Sequence, residues 1–168
     1  MKLLRSFGLI ALLALTLLPA ATRGAEKANP GWDRMKSLVG EWDGFYEGKA
    51  PVHVSYKIVS KGTTLMEIMS SSEEPDMVSM YTPDGGRLLM THYCSEANQP
   101  RLRAEATPAE PKKISFGFVD ATGLATPAAG HMHHLEVVFK DPDHFAQQWT
   151  HRADGKDMTS TFEYTRKR

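Results

Sequence analysis

From Gly40 onward, apolar and polar residues alternate along the chain with a period of two. Residues 52–58 place four apolar side chains on one face, and residues 135–139 and 145–149 repeat the pattern. This alternation is typical of an antiparallel sheet with one buried face and one solvated face. Turn residues such as Gly, Asp and Pro separate the runs. The pattern predicts ten strands: 41–47, 52–59, 63–69, 76–82, 86–93, 100–106, 112–119, 131–140, 144–151 and 157–166.

A short helix is predicted before the first strand. Asn29 suits an N-cap and Pro30 the first helical turn, while Trp32 and Met35 recur at helical spacing before Gly40 ends the helix. No run predicts a long crossover helix, so a simple meander can connect the strands. We therefore predict an all-β fold, a single up-and-down antiparallel β-barrel of about ten strands with a short N-terminal helix, after a signal peptide.

The first 24 residues have the three-part pattern of a secretory signal peptide. Lys2 and Arg5 are basic, residues 7–18 are apolar, and small residues follow. The apolar run is shorter than the roughly 20 residues of a membrane span. We expect residues 1–24 to be removed and residues 25–168 to form one barrel domain in the periplasm or outside the cell. An uncleaved N-terminal anchor is the alternative.

Net charge narrows the class of partner. Residues 1–24 carry three of the 20 basic residues and none of the 20 acidic ones, so the remainder has a net charge of −3. This charge argues against a nucleic-acid partner and against an anionic membrane surface. Cys94 is the single cysteine, so an intramolecular disulfide is excluded.

Strand parity predicts one plugged end and one open end. The N-terminal helix would close the end that carries most of the tight turns, and the longer connections would surround the other end, where a small barrel binds its ligand. Most of the polar residues that could carry chemistry fall at this open end. The candidate ligand-binding residues are His92, Cys94, Arg101, His131, His133, Gln147, Trp149 and His151.

Several short motifs give the chain resemblances to three groups of proteins. Gly40-Glu41-Trp42, with Arg166 in the last strand, resembles the G-x-W signature of lipocalin and calycin barrels, and implies that the tryptophan packs at the closed end under the arginine. The run 38–44 also resembles the opening of nitrobindin-like haem barrels. The whole chain resembles uncharacterised secreted bacterial proteins, through Thr91-His92-Tyr93-Cys94, Asn98-Gln99-Pro100-Arg101 and Gly130-His131-Met132-His133.

The histidines at positions 131 and 133 leave several functions open. By strand period they share a face with Leu135, so both imidazoles are expected inside the barrel mouth. They could be core groups hydrogen-bonded by Asp120 and Gln147, or they could contact a ligand. They could also bind a transition metal, completed by His151 or Cys94.

Haem is the other cofactor candidate. His131 or His133 would then be the axial ligand, as the resemblance to nitrobindin-like barrels implies. The apolar haem pocket would be lined by Met66, Met69, Met77, Met80, Leu102 and Phe118.

Two further candidate groups are His92 with Cys94, and Arg101. His92 and Cys94 share a face at i and i+2, and an adjacent imidazole could activate the thiol for hydrolase or isomerase chemistry. Arg101 either faces solvent or leans over the mouth to pair with an acidic ligand group. The favoured function is binding rather than catalysis: an exported barrel that binds a small apolar or amphipathic molecule. The sequence names no cofactor.

Overall fold

The chain folds as a closed antiparallel barrel of ten strands with one short helix. The computed structural model describes residues 28–168, so the predicted signal peptide lies outside the described residues. The helix α1 spans Pro30–Lys36. The strands are β1 Gly40–Tyr46, β2 Ala50–Val59, β3 Thr64–Ser71, β4 Met77–Asp84, β5 Arg87–Tyr93, β6 Gln99–Ala104, β7 Lys113–Thr122, β8 His131–Asp141, β9 His144–Ala153 and β10 Lys156–Arg166.

Every strand pairs with its neighbours in sequence, and β1 pairs with β10 to close the barrel. This meander is the fold that the alternating pattern predicts, and the fold class is confirmed. Inward positions follow the expected period: Leu88, Met90 and His92 of β5 are buried, whereas the residues between them are partly exposed. Within residues 28–168, no helix is long and apolar enough to cross a membrane.

Helix α1 closes one end of the barrel. The side-chain carbonyl of Asn29 accepts a hydrogen bond from the Trp32 backbone N–H at 2.9 Å, as an N-cap does. The Asn29 amide donates to the carbonyl oxygens of Gly85 and Arg87, which flank the turn between β4 and β5. The helix therefore lies beside the short turns, and the predicted closed end is confirmed.

Aromatic side chains fill the part of the barrel interior nearest to helix α1. Trp42 is buried, and its ring centroid lies 4.7 Å from that of Phe145 in an edge-on contact. Phe145 in turn stacks on Tyr164 at 4.7 Å. Because these rings fill the interior near α1, free space inside the barrel lies toward the other end.

Two β-bulges interrupt the alternation near the open end. On β8, Met132 pairs with His151 and His134 pairs with Thr150, so His133 is an extra residue. The register between β6 and β7 shifts after Arg101 as well. A bulge re-aims the side chains beside it, and the bulge at His133 changes which residues of β8 face the interior.

Candidate functional site: a cavity at the open end

The open end of the barrel holds a cavity of about 320 Å³. Its wall is mostly apolar and rich in aromatic rings and thioethers, and three carboxylates from the loops 72–76 and 94–98 stand at its rim. The apolar lining includes Tyr46, Val52, Met69, Met77, Met132, Trp149, Met158 and Phe162, and the rim carboxylates are Glu73, Glu74 and Glu96. Apolar walls with few polar groups are typical of small-molecule sites.

Three of the eight candidate ligand-binding residues line this cavity: Cys94, Trp149 and His151. Trp149 is 3% exposed and forms part of the floor. Its indole N–H donates to the Gln147 side-chain oxygen at 3.2 Å, one layer deeper. The imidazole Nε2 of His151 lies 3.1 Å from Oε1 of Glu96, which fixes the imidazole beside the rim.

His92 lies beneath the cavity. Its ring centroid is 4.8 Å from that of Trp149, and its Nδ1 is 3.0 Å from the Ser79 hydroxyl. The Nε2 atom is buried and has no hydrogen-bond partner among residues 28–168. Burial lowers the pKa of His92 to about 4, so the imidazole is neutral near pH 7.

The thiol of Cys94 lacks the environment of a nucleophile. Burial raises the pKa of Cys94, whereas an activated cysteine needs a lowered pKa. The Nδ1 atom of His92 is engaged by Ser79. The expected activation of Cys94 by His92 therefore finds no support in these contacts.

His131 and His133 lie on the outer side of β8, which corrects the expectation that both imidazoles point into the barrel. His131 pairs across the strands with Arg152, whose neighbour His151 faces the cavity, so His131 faces outward. Phe118 covers both histidines at ring distances of 4.7 and 4.9 Å. The bulge at His133 is the physical reason, because the extra residue breaks the period of two and brings Met132 inward.

The two outer histidines contact each other and the backbone. Nδ1 of His131 donates to the Ala129 carbonyl oxygen at 2.8 Å, and Nε2 lies 3.2 Å from Nδ1 of His133. Burial lowers the pKa of His133. His151 and Cys94 line the inner cavity, so they do not complete a metal site with this pair as expected. Among residues 28–168, no group of three or more His, Cys, Asp and Glu side chains is placed to hold a metal ion.

The haem pocket expected from the sequence does not form as described. Met66 and Met80 are cross-strand partners beside Glu67 and Ser79, which are buried, so the two methionines face outward. His131 and His133 stand outside the cavity, where an axial ligand cannot reach its interior.

Arg101 lies on the outer surface and forms a bidentate ion pair with Asp120. The Asp120 carboxylate therefore pairs with Arg101 and not with His131 or His133. The Asp120 carboxylate raises the pKa of Arg101, and the guanidinium lowers the pKa of Asp120. Of the two expectations for Arg101, the solvated one agrees with the structure.

Gln147 is fully buried below the cavity floor in a polar network that the sequence analysis missed. Its amide nitrogen donates to the Tyr56 hydroxyl at 2.9 Å and to Oε2 of Glu67 at 3.0 Å. The Tyr81 hydroxyl donates to the same carboxylate oxygen at 2.7 Å. Burial raises the pKa of Glu67, and these hydrogen bonds act in the opposite direction. Glu67 shares the strand period of Leu65 and Met69, and this spacing in the sequence was sufficient to predict that its carboxylate faces inward.

Comparison with known proteins supports the class of fold. The closed antiparallel barrel, with a helix at one end and a cavity at the other, fits a lipocalin-like barrel fold. No family model matches the chain, and no curated protein matches it. The crystal structure of Rv2717c from M. tuberculosis is similar in fold, with a TM-score of 0.55 and 16% sequence identity, covering 83% of this chain and 98% of that one.

A second solved structure is a protein of unknown function from the DUF3598 family of Nostoc punctiforme. Its TM-score is 0.44 at 14% sequence identity, and the match covers 79% of this chain and 49% of that one.

Proposed function

We propose that this chain is an exported protein that binds a small, mostly apolar molecule in the cavity at the open end of its barrel. The observation that carries the proposal is the cavity itself, about 320 Å³ in volume. Pockets for small ligands start near roughly 300 Å³. Packed aromatic rings fill the barrel below the cavity, and helix α1 closes the far end. A ligand would therefore enter through the open end.

The lining suits an apolar ligand of variable shape. Four methionines border the cavity: Met69, Met77, Met132 and Met158. Methionine side chains are flexible and polarisable, so they adapt to different apolar surfaces. The Trp149 ring offers a flat apolar floor, and its indole N–H is already used by Gln147.

Binding can be tested with a neutral fluorescent probe, N-phenyl-1-naphthylamine. We expect one saturable site per chain, with energy transfer from Trp149 to the probe. Ser160→Trp places a large ring in the cavity, since Ser160 lines it, and should remove probe binding. The matched control is Thr159→Trp one residue away, on the exposed outer side. Unsaturable binding, or equal loss in both variants, would contradict the proposal.

Export is the second part of the proposal, and the N-terminal sequence supports it. Mass spectrometry of protein recovered from the periplasm or medium should show an N-terminus between Ala21 and Glu26. A full-length chain retained in the membrane would refute cleavage.

A further inference from the structure

Two thioethers flank one imidazole at the mouth of the cavity. Met132, His151 and Met158 are direct cross-strand partners on β8, β9 and β10. All three line the cavity, so their side chains share one face. Directly opposite residues in an antiparallel sheet have Cβ atoms about 4.5–5.5 Å apart. The bulge at His133 creates this row, because it brings Met132 rather than a histidine into line with His151.

This set of donors has a defined chemical preference. Two thioether sulfurs and one imidazole nitrogen are soft or borderline ligands, and thioethers select Cu(I) among biological metals. Metal bonds to nitrogen and sulfur are roughly 2.0–2.3 Å long. Each methionine has three rotatable side-chain bonds, so both sulfurs can turn toward an ion beside His151 without movement of the strands.

The contacts of His151 prepare one nitrogen for an ion. Its Nε2 lies 3.1 and 3.2 Å from the two carboxylate oxygens of Glu96. An ionised carboxylate only accepts hydrogen bonds, so in the neutral imidazole Nε2 carries the proton and Nδ1 has the free lone pair. A carboxylate behind a ligating histidine is the usual arrangement at metal sites. The negative charge of Glu96 also offsets the charge of a monovalent cation.

The loop 123–130 leaves room for the contact between His151 and Glu96. A Cβ at Gly130 would stand 2.8 Å from Nε2 of His151 and 3.0 Å from Oε2 of Glu96. Glycine at this position leaves the space in which the imidazole and the carboxylate meet.

We propose that Met132, His151 and Met158 bind one soft monovalent metal ion, Cu(I) or its analogue Ag(I), at the mouth of the cavity. The site does not depend on the proposed apolar ligand, and it would stand if that ligand were absent. Cys94 lines the same cavity, and a thiol can bind these ions alone, so the test separates the two sources of affinity.

The test titrates Ag(I), as silver nitrate in chloride-free buffer, into protein carrying ¹³C-labelled methionine methyl groups. We expect one ion per chain, with the methyl resonances of Met132 and Met158 shifting together. Cu(I) should compete, measured without oxygen against bathocuproine disulfonate. The double variant Met132→Leu/Met158→Leu should weaken Ag(I) binding at least tenfold.

The matched control is Met66→Leu/Met80→Leu. These methionines are also direct cross-strand partners, but they face outward and have no histidine between them, so their replacement should leave Ag(I) affinity unchanged. Met158→Leu alone serves as a second variant, because Met158 is 62% exposed and tolerates the change without unfolding; it too should weaken binding.

Three results would overturn the proposal. The first is no binding of Ag(I) by the folded protein. The second is an equal loss of affinity in the two double variants. The third is loss of binding in Cys94→Ser while Met132→Leu/Met158→Leu binds as before, which would assign the ion to the thiol alone. Probe binding in the cavity is measured separately, so failure of the metal site leaves the proposed ligand function standing.

Discussion

The guanidinium carbon of Arg166 lies 4.0 Å from the centre of the Trp42 ring. The same guanidinium donates hydrogen bonds to the carbonyl oxygens of Ser37 and Val39, at 2.9 and 3.0 Å. The Trp42 indole N–H donates to the Leu38 carbonyl oxygen at 2.7 Å. One arginine of the last strand therefore ties down the segment between α1 and β1. This is the arrangement that the resemblance to lipocalin barrels implied, and it is confirmed.

The first prediction concerns this closed end. Trp42→Ala should reduce the free energy of unfolding by about 3–5 kcal/mol, the usual range for a buried aromatic. Arg166→Ala should cost about 1–2 kcal/mol through the lost ring contact. Urea unfolding measures both. Arg168→Ala is the control, because Arg168 is 89% exposed, and it should leave stability unchanged. An unaltered midpoint in Trp42→Ala would contradict the packing described.

The second prediction concerns the buried carboxylate of Glu67. Burial raises its pKa in the folded protein above the unfolded value of about 4.3. The folded state then holds the proton more tightly, so this contribution to stability is present below the unfolded pKa and is lost as the pH rises through the folded pKa. Glu67→Gln should remove this loss, and the stability of Glu67→Gln relative to the native protein should increase between pH 4.5 and pH 8.

A companion variant separates charge from hydrogen bonding. Glu67→Leu leaves the Tyr81 hydroxyl and one N–H of the Gln147 amide without an acceptor, which should cost about 1–3 kcal/mol for each unsatisfied group. Glu67→Gln keeps an acceptor oxygen for both donors. If the two variants had the same stability at every pH, the network would not have the role assigned to it.

The third prediction concerns His92. Its pKa of about 4 in the folded protein is below the unfolded value of about 6.5. The unfolded state therefore binds more protons between these values, and stability should fall as the pH falls from about 6.5 to about 4. The imidazole C–H resonances of His92 should show no titration above pH 5 by NMR. A midpoint for His92 near 6.5 would show that the imidazole is hydrated.

The fourth prediction concerns Gly130. Gly130→Ala should push His151 away from Glu96 because the added Cβ would stand 2.8 Å from Nε2 of His151. The affinity of N-phenyl-1-naphthylamine, titrated by fluorescence, should change. Gly117→Ala is the matched control, since a Cβ there meets nothing within 4 Å. Equal affinities in the two variants would mean that the histidine and the rim act independently.

The alternating pattern was sufficient to predict the ten strands, and an N-cap followed by apolar residues at helical spacing predicted the helix that closes one end. The prediction of the strands succeeded because each strand has one buried face, so apolar and polar residues alternate along it. The pattern predicted the wrong side-chain direction where a β-bulge inserts an extra residue into a strand. His131 and His133 were expected inside by parity, but a bulge at His133 reverses the parity of the residues before it, and no single residue type marks a bulge of this kind.

The polar core was missed for a different reason. Gln147 was assigned to the mouth, although its partners Tyr56 and Glu67 lie on two other strands of the barrel and Glu67 binds Tyr81 on a third. Pattern along one strand shows which side chains face inward, but it does not show which of them meet across the interior. The depth of each residue depends on strand stagger, which pairing in three dimensions determines.

The network around Glu67 also bears on how accurately the barrel assembles. Its members come from β2, β3, β4 and β9, and they meet only when these strands are paired in the native register. A slip of one residue in β3 would turn Glu67 outward and leave the Tyr81 hydroxyl and one N–H of the Gln147 amide buried without an acceptor. Apolar side chains also oppose a slip of one residue, but they tolerate a slip of two residues more readily, because such a slip keeps apolar side chains in the interior. The contacts of the buried carboxylate therefore add a free-energy penalty to barrels that close in the wrong register.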